Sequence, residues 1–245
     1  MTFNVASGWN IGSQWTIQSY TVPYVTTLNA LLYLDAGNTS SYSGSGTTWT
    51  DLSSNINNAT LTGTPTFTNS GAASYFSFDG TGNQYALTVS SEYNTTYTGK
   101  STFFAARMNN AFGTSRYRAL FGSFSGTRNF NTYIYSPTSG VYQIHGSFGG
   151  GSSLSNNLSL TTNQWFTCGI TQDNSGNMTH YFNGQQTDVD TGQALAQWAS
   201  NGGEAVAASD NYWYGDISVI AIYSRALSAA EMSLNHLAVS TRYGI

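Results

Sequence analysis

Short runs of Val, Ile, Thr, Tyr and Phe, cut at near-regular intervals by Gly, Asn and Ser, constrain this chain more than any other feature. β-Branched and aromatic side chains suit a pleated, half-buried surface, while Gly and Asn supply the turns between strands. Only 3 prolines occur in 245 residues, against 26 glycines spread throughout. The runs predict strands at Leu31–Leu34, Ala59–Leu61, Tyr75–Phe78, Tyr85–Val89, Thr102–Met108 and Ala119–Phe124. Further strands are expected at Asn131–Tyr135, Val141–His145, Trp165–Thr171, Met178–Phe182 and Asp216–Tyr223. Around Gln164–Ile170, period-2 alternation puts Phe166, Cys168 and Ile170 on one face, and Trp165, Thr167 and Gly169 on the other. Cys168, the only cysteine, is therefore expected as a small buried residue, and no intramolecular disulfide can form.

One helix is predicted, opened by the capping box Ser228-Ala229-Ala230-Glu231 and running to about Val239. Met232, Leu234 and Leu237 are its expected apolar contacts, with His236 at the surface or capping. Residues 1–29 read as an extended N-terminal arm preceding a domain at 30–245. Within the arm, Trp9 and Ile11, then Trp15 and Ile17, alternate in a way that suits strand addition to a neighbour, hence docking and homo-oligomerisation, with a trimer as the working expectation. The same pattern is equally that of an ordinary first strand or hairpin.

Charge excludes several functions. Lys plus Arg number 7 and Asp plus Glu 11, and charged residues make up 7% of the chain, against about 25% in an average soluble protein. Seven scattered basic residues build no phosphate-neutralising patch, so nucleic acid is not an expected partner. With hydrophobic residues at 40%, including 17 Tyr, the chain can nonetheless bury a core. No apolar run reaches the roughly 18 residues of a membrane span, and the start, MTFNVASGWN, lacks the basic and apolar regions of a signal peptide. A charge-poor, extracellular-looking chain without an export signal fits a virion-surface component made in the host cytoplasm and released by lysis.

No nucleophile elbow, zinc motif or P-loop is present. The one close acidic pair, Asp188 and Asp190, reads more simply as a hairpin edge or loop than as a glycosidase dyad. His180 is expected to pack across strands. Calcium is the one cofactor that the residues leave open, with Asp35, Asp51, Asp79 and Asp216 as ligand candidates next to glycine or strand boundaries. Asp and Asn before Gly are also ordinary turn formers, and Asp173–Asn177 reads as a hairpin turn. Tyr212, Trp213 and Tyr214 form the densest aromatic cluster, a candidate sugar-stacking platform with core packing as the competing reading.

The ordered residues Leu32–Asn38, Thr48–Ser53, Asn57–Leu61, Phe78-Asp79-Gly80, Gln164-Trp165-Phe166, Thr171-Gln172-Asp173, Tyr181–Gly184, Ile222–Ser228 with Glu231, and Arg242–Ile245 resemble the laminin-G-like, concanavalin A-like jelly-roll domains common in bacteriophage virion proteins. The resemblance covers roughly Ala30 to Ile245. It implies an all-β, two-sheet antiparallel jelly-roll sandwich with one short C-terminal helix. Ser218 and Val219 stand where many members carry acids, which weakens any calcium site borrowed from that family.

The expected function is a non-enzymatic structural protein of a tailed phage, as capsid decoration or tail or fibre appendage, contacting other virion proteins and a host-surface glycan. A free carbohydrate-binding lectin is the alternative, followed by a polysaccharide-degrading enzyme on the same fold.

Overall fold

The computed structural model describes residues 24–88, 99–123, 130–148, 151–195, 204–206 and 212–245. In chain order the strands are β1 (Ala30–Asp35), β2 (Thr48–Trp49), β3 (Ala59–Thr62), β4 (Thr66–Thr68), β5 (Tyr75–Asp79), β6 (Tyr85–Thr88), β7 (Lys100–Met108) and β8 (Arg116–Ser123). They continue with β9 (Phe130–Ser136), β10 (Gln143–Phe148), β11 (Gly151–Leu154), β12 (Trp165–Gln172), β13 (Met178–Phe182), β14 (Gln185–Asp190), β15 (Glu204–Val206) and β16 (Tyr214–Tyr223). A single helix, α1, spans Ala229–Tyr243.

The strands form two antiparallel sheets. The first has the order β14-β13-β12-β7-β16-β5-β4, with β1 also on β16. The free edge of β16 is shared, β5 taking Tyr214–Ile217 and β1 taking Val219–Tyr223, while a bulge against β7 falls between Ile217 and Val219. The second runs β11-β10-β9-β8-β15-β6-β3-β2. This is the expected jelly-roll sandwich. Strand periodicity explains the layers: Phe166, Cys168 and Ile170 point between the sheets with Phe104, Ile134, Ile144 and Ile220. Burial pushes the Cys168 thiol pKa up, in keeping with an inert core residue. Thr102 and Thr132 hydrogen-bond from sheet to sheet at 3.2 Å.

The outer face of the first sheet is covered by α1. Phe103, Ala105, Val219, Ala221 and Tyr223 pack there against Met232 and Val239. The capping box forms as expected, and Gly244 closes the helix in the left-handed region at φ 69°, one turn beyond the expected end. Glu231 also takes a bidentate pair from Arg225 at 2.6 and 2.9 Å, and this guanidinium, with the Ser228 donors, holds its carboxyl down at about 2. The expected helix face requires correction. Met232 is buried, but Leu234 and Leu237 are 49% and 47% exposed, and the inward stripe is Met232, Asn235, Val239 and Ser240. Asn235 turns inward because it serves the chain entering the domain: its Oδ1 accepts from Thr26 N at 2.8 Å and its Nδ2 donates to Tyr223 Oη at 3.1 Å. His236 is half-buried at the edge of the helix and bonds Thr167 Oγ1 at 2.9 Å, so it reaches the surface only in part and serves the sheet rather than a helix cap.

Residues 25–29 already belong to the domain. Val25 is buried, and the Tyr223 hydroxyl donates to Thr26 O at 2.9 Å. Trp9, Ile11, Trp15 and Ile17 lie outside the described residues.

Candidate functional site: the uncharged face of the second sheet

Sheet register assembles the site. On β8, β9 and β10 the alternate residues that do not enter the core stand outward: Tyr117 on β8, Tyr133 and Tyr135 on β9, and Gln143, His145 and Ser147 on β10. Pairing sets Tyr117 beside Tyr135 and Gln143 beside Tyr135, then His145 beside Tyr133 and Leu154 of β11 beside His145. The Tyr117 and Tyr135 rings stack at 4.4 Å with 28° between planes. Tyr117 also meets Tyr133 and His145 edge-on at 5.6 and 5.2 Å, and Tyr133 and His145 stack at 5.7 Å. The His145 ring is held by a 2.9 Å bond between its Nε2 and Ser152 Oγ.

Tyr117, Tyr135, Gln143 and His145 remain partly exposed. Farther across the sheet the outward positions are Tyr85 and Leu87 of β6, then Thr60 and Thr62 of β3. Among these described outward side chains none is Asp, Glu, Lys or Arg. The face combines aromatic rings with hydroxyl, amide and imidazole groups, the chemistry that suits the C–H faces and hydroxyls of a sugar.

The aromatic cluster singled out in the sequence is placed differently. Trp213 is completely buried, with Phe166 near its ring at 6.4 Å, and cannot stack on a ligand. Its neighbours flank the turn after β5: the Tyr212 ring lies against Gly82, and Tyr214 against Gly80. Alternation explains the split, since one residue of three consecutive positions must turn inward when its neighbours turn out.

The four calcium candidates do not fit a shared calcium shell. Asp35 lies under Arg242, whose Nη1 stands 2.8 and 2.9 Å from its two oxygens, and also accepts from Gly37 N at 2.9 Å. Asp51 accepts from Tyr33 N, Ser53 N, Ser53 Oγ and Asn57 N at 2.6–2.9 Å, tying β1 to the following loop. Asp216 takes Arg107 Nε at 2.6 Å and Ser77 Oγ at 2.5 Å. Asp79 closes its own turn by accepting from Thr81 N and Oγ1. Among the described residues no three His, Cys, Asp or Glu side chains converge as metal ligands.

Asp188 and Asp190 lie on edge strand β14, where Asp188 Oδ1 accepts from Val189 N at 2.9 Å and Asp190 Oδ2 from Leu154 N at 3.3 Å. Their neighbour His180 packs across strands as expected, but also crosses the sandwich. Its Nε2 is 2.7 Å from Ser153 Oγ of the opposite sheet, and burial pulls its pKa down to about 4. The sequence reading missed both this link and the tyrosine platform, because each joins residues from separate strands.

Fold and surface together define an antiparallel lectin-like sandwich. The chain belongs to the concanavalin A-like lectin/glucanases superfamily, whose Laminin_G_3 family profile matches residues 79–233. No curated protein matches the sequence. Among solved structures, the chain is similar to botulinum neurotoxin type C, which depends on two ganglioside molecules to enter cells (17% identity, 86% of this chain and 52% of that one, TM-score 0.63). It is also similar to the binding domain of Paraclostridial Mosquitocidal Protein 1 (13% identity, 86% and 52%, TM-score 0.65). A third similar structure is domain 4 of an extracellular arabinanase from Geobacillus stearothermophilus in complex with arabinotriose (14% identity, 86% and 98%, TM-score 0.62). The chain spans about half the length of the two toxin chains. At these identities the likeness establishes the fold.

Proposed function

We propose that the chain is a non-enzymatic, glycan-binding structural component of a tailed-phage particle, displayed on its capsid or tail. The observation that carries the binding reading is the uncharged aromatic face built by Tyr117, Tyr133, Tyr135 and His145. Its chemistry agrees with similar structures described with gangliosides or arabinotriose. The non-enzymatic part is supported by the carboxylates, since Asp35, Asp51 and Asp216 are occupied by protein donors. The virion part is supported by the charge-poor composition and by the resemblance to phage jelly-roll domains.

A glycan array with the wild type and Tyr135→Ala tests binding. Loss of a stacking tyrosine is expected to weaken the preferred glycan about tenfold without lowering the melting temperature, and an array with no hits defeats the binding reading. Immunogold labelling of lysate particles tests the placement: regular labelling of heads or tails is expected, and unlabelled particles beside soluble protein would move the reading to a free lectin. Depolymerisation of any polysaccharide in a broad panel would overturn the non-enzymatic part.

A further inference from the structure

We propose a second saccharide site, separate from the aromatic face: a cleft between the loop after β1 and the β4–β5 connection that takes one neutral pyranose residue. The inference rests on the glycan-binding reading above. The cleft is lined by residues of 36–44 and 67–74 and has a volume of about 240 Å³. That lies below the roughly 300 Å³ at which sites for drug-sized ligands begin, a size suited to a single sugar ring.

Its apolar wall is Phe67 and Tyr42, edge to face at 4.7 Å, each backed by Phe76 at 5.2 and 4.8 Å. The Tyr42 hydroxyl donates to Gly46 O at 2.9 Å, which fixes the ring in the wall. The two loops are locked together at the base. Gly37 approaches Ala72 so closely that a Cβ there would stand 2.1 Å from the Ala72 carbonyl oxygen, and the Tyr243 hydroxyl donates to Ser74 O at 3.2 Å. Ser74 Oγ in turn donates to Gly71 O at 2.7 Å, closing the short 3-10 turn at Gly71–Ala73. A cleft held this way is organised before any ligand arrives.

The rim supplies the polar half. Thr39, Ser43 and Asn69 are exposed and line the opening. The Thr39 and Ser43 hydroxyls are engaged by no hydrogen bond among the described residues, while Asn69 Oδ1 accepts only a long 3.4 Å bond from Gly71 N. No charged residue lines the cleft. A phosphate or carboxylate would lose its hydration without a compensating charge, whereas a pyranose offers a C–H face to the rings and hydroxyls to the rim.

The test is saturation-transfer NMR and calorimetry on the full chain with methyl α-glucopyranoside, methyl β-galactopyranoside and N-acetylglucosamine, with glucuronate as the charged control. At least one neutral sugar is expected to bind with a millimolar Kd and glucuronate not to bind. Measured in the Tyr135→Ala background, where the aromatic face is disabled, Thr39→Trp, which fills the opening from an exposed turn, is expected to weaken binding at least tenfold, and Leu234→Gln, exposed on α1, to leave it unchanged. Should Phe67→Ala fold, it is expected to act like Thr39→Trp. No binding of any neutral sugar at tens of millimolar, equal binding of glucuronate, or undiminished binding when Thr39→Trp is added to Tyr135→Ala would each overturn the cleft. Array binding that persists in Tyr135→Ala but disappears in Thr39→Trp would instead retain the cleft and remove the aromatic face.

Discussion

Acid should unfasten the two sheets at one identifiable point. His180 is fully buried, joined to Ser153 across the sandwich at 2.7 Å, and its pKa falls from 6.5 to about 4. Burial dominates that fall; Asp188 opposite on β14 works against it, and His145 adds to it. Because the folded pKa is depressed, the unfolded chain takes up the proton first. The stabilisation is therefore complete above about pH 6.5 and is lost as pH falls through about 4. At 1.36 kcal/mol per pH unit the loss is about 3 kcal/mol, a large share of the 5–15 kcal/mol that holds a typical domain. The assay is urea unfolding followed by tryptophan fluorescence at about pH 8 and about pH 4, for the wild type and His180→Gln. Gln keeps a neutral polar partner for Ser153 but cannot be protonated, and the carboxylates remote from this site keep the same surroundings in both proteins. The wild type should lose about 3 kcal/mol more than the variant. Equal losses would refute the assignment of acid sensitivity to His180.

Three further outcomes follow from geometry. Trp213→Ala, which empties a fully buried site, should cost about 3–5 kcal/mol of stability by denaturant titration; a glycan-binding defect with unchanged stability would contradict its core placement. Glu231→Ala removes the capping box and the Arg225 pair together and should cost about 1–2 kcal/mol, visible as a lower melting temperature. Gly63 has φ 71°, and a Cβ there would stand 1.7 Å from Asn83 O. Gly63→Ala should therefore destabilise by more than about 2 kcal/mol, and a neutral outcome would show that the loops at Gly63 and Asn83 separate easily.

The strand rhythm carried the architecture because the side-chain period of two survives in any single strand. Phe166, Cys168 and Ile170 reach the core as their alternation dictates. What local pattern could not show were strands of two or three residues, such as Thr48–Trp49 and Thr66–Thr68, which exist only by pairing with β3 and β5. The inward phase of α1 was equally hidden, because Asn235 is drawn inside by Thr26, far away in sequence. The tyrosine platform has no signature of its own. Tyr117, Tyr133 and His145 come from three strands, and their meeting depends on a register that includes a bulge between Ala119 and Phe121. Trp213 drew attention through density in sequence, yet density along a strand divides between two faces.

The absence of charge from the described outward face of the second sheet sets how a partner reaches it. An uncharged sugar feels no steering from these side chains, so its encounter depends on diffusion and orientation, at the roughly 10⁵–10⁶ M⁻¹s⁻¹ of unsteered association. Changing ionic strength, which rescales the Debye length and with it every steered association, should leave that on-rate nearly constant. Such a surface performs alike in dilute water and in brine.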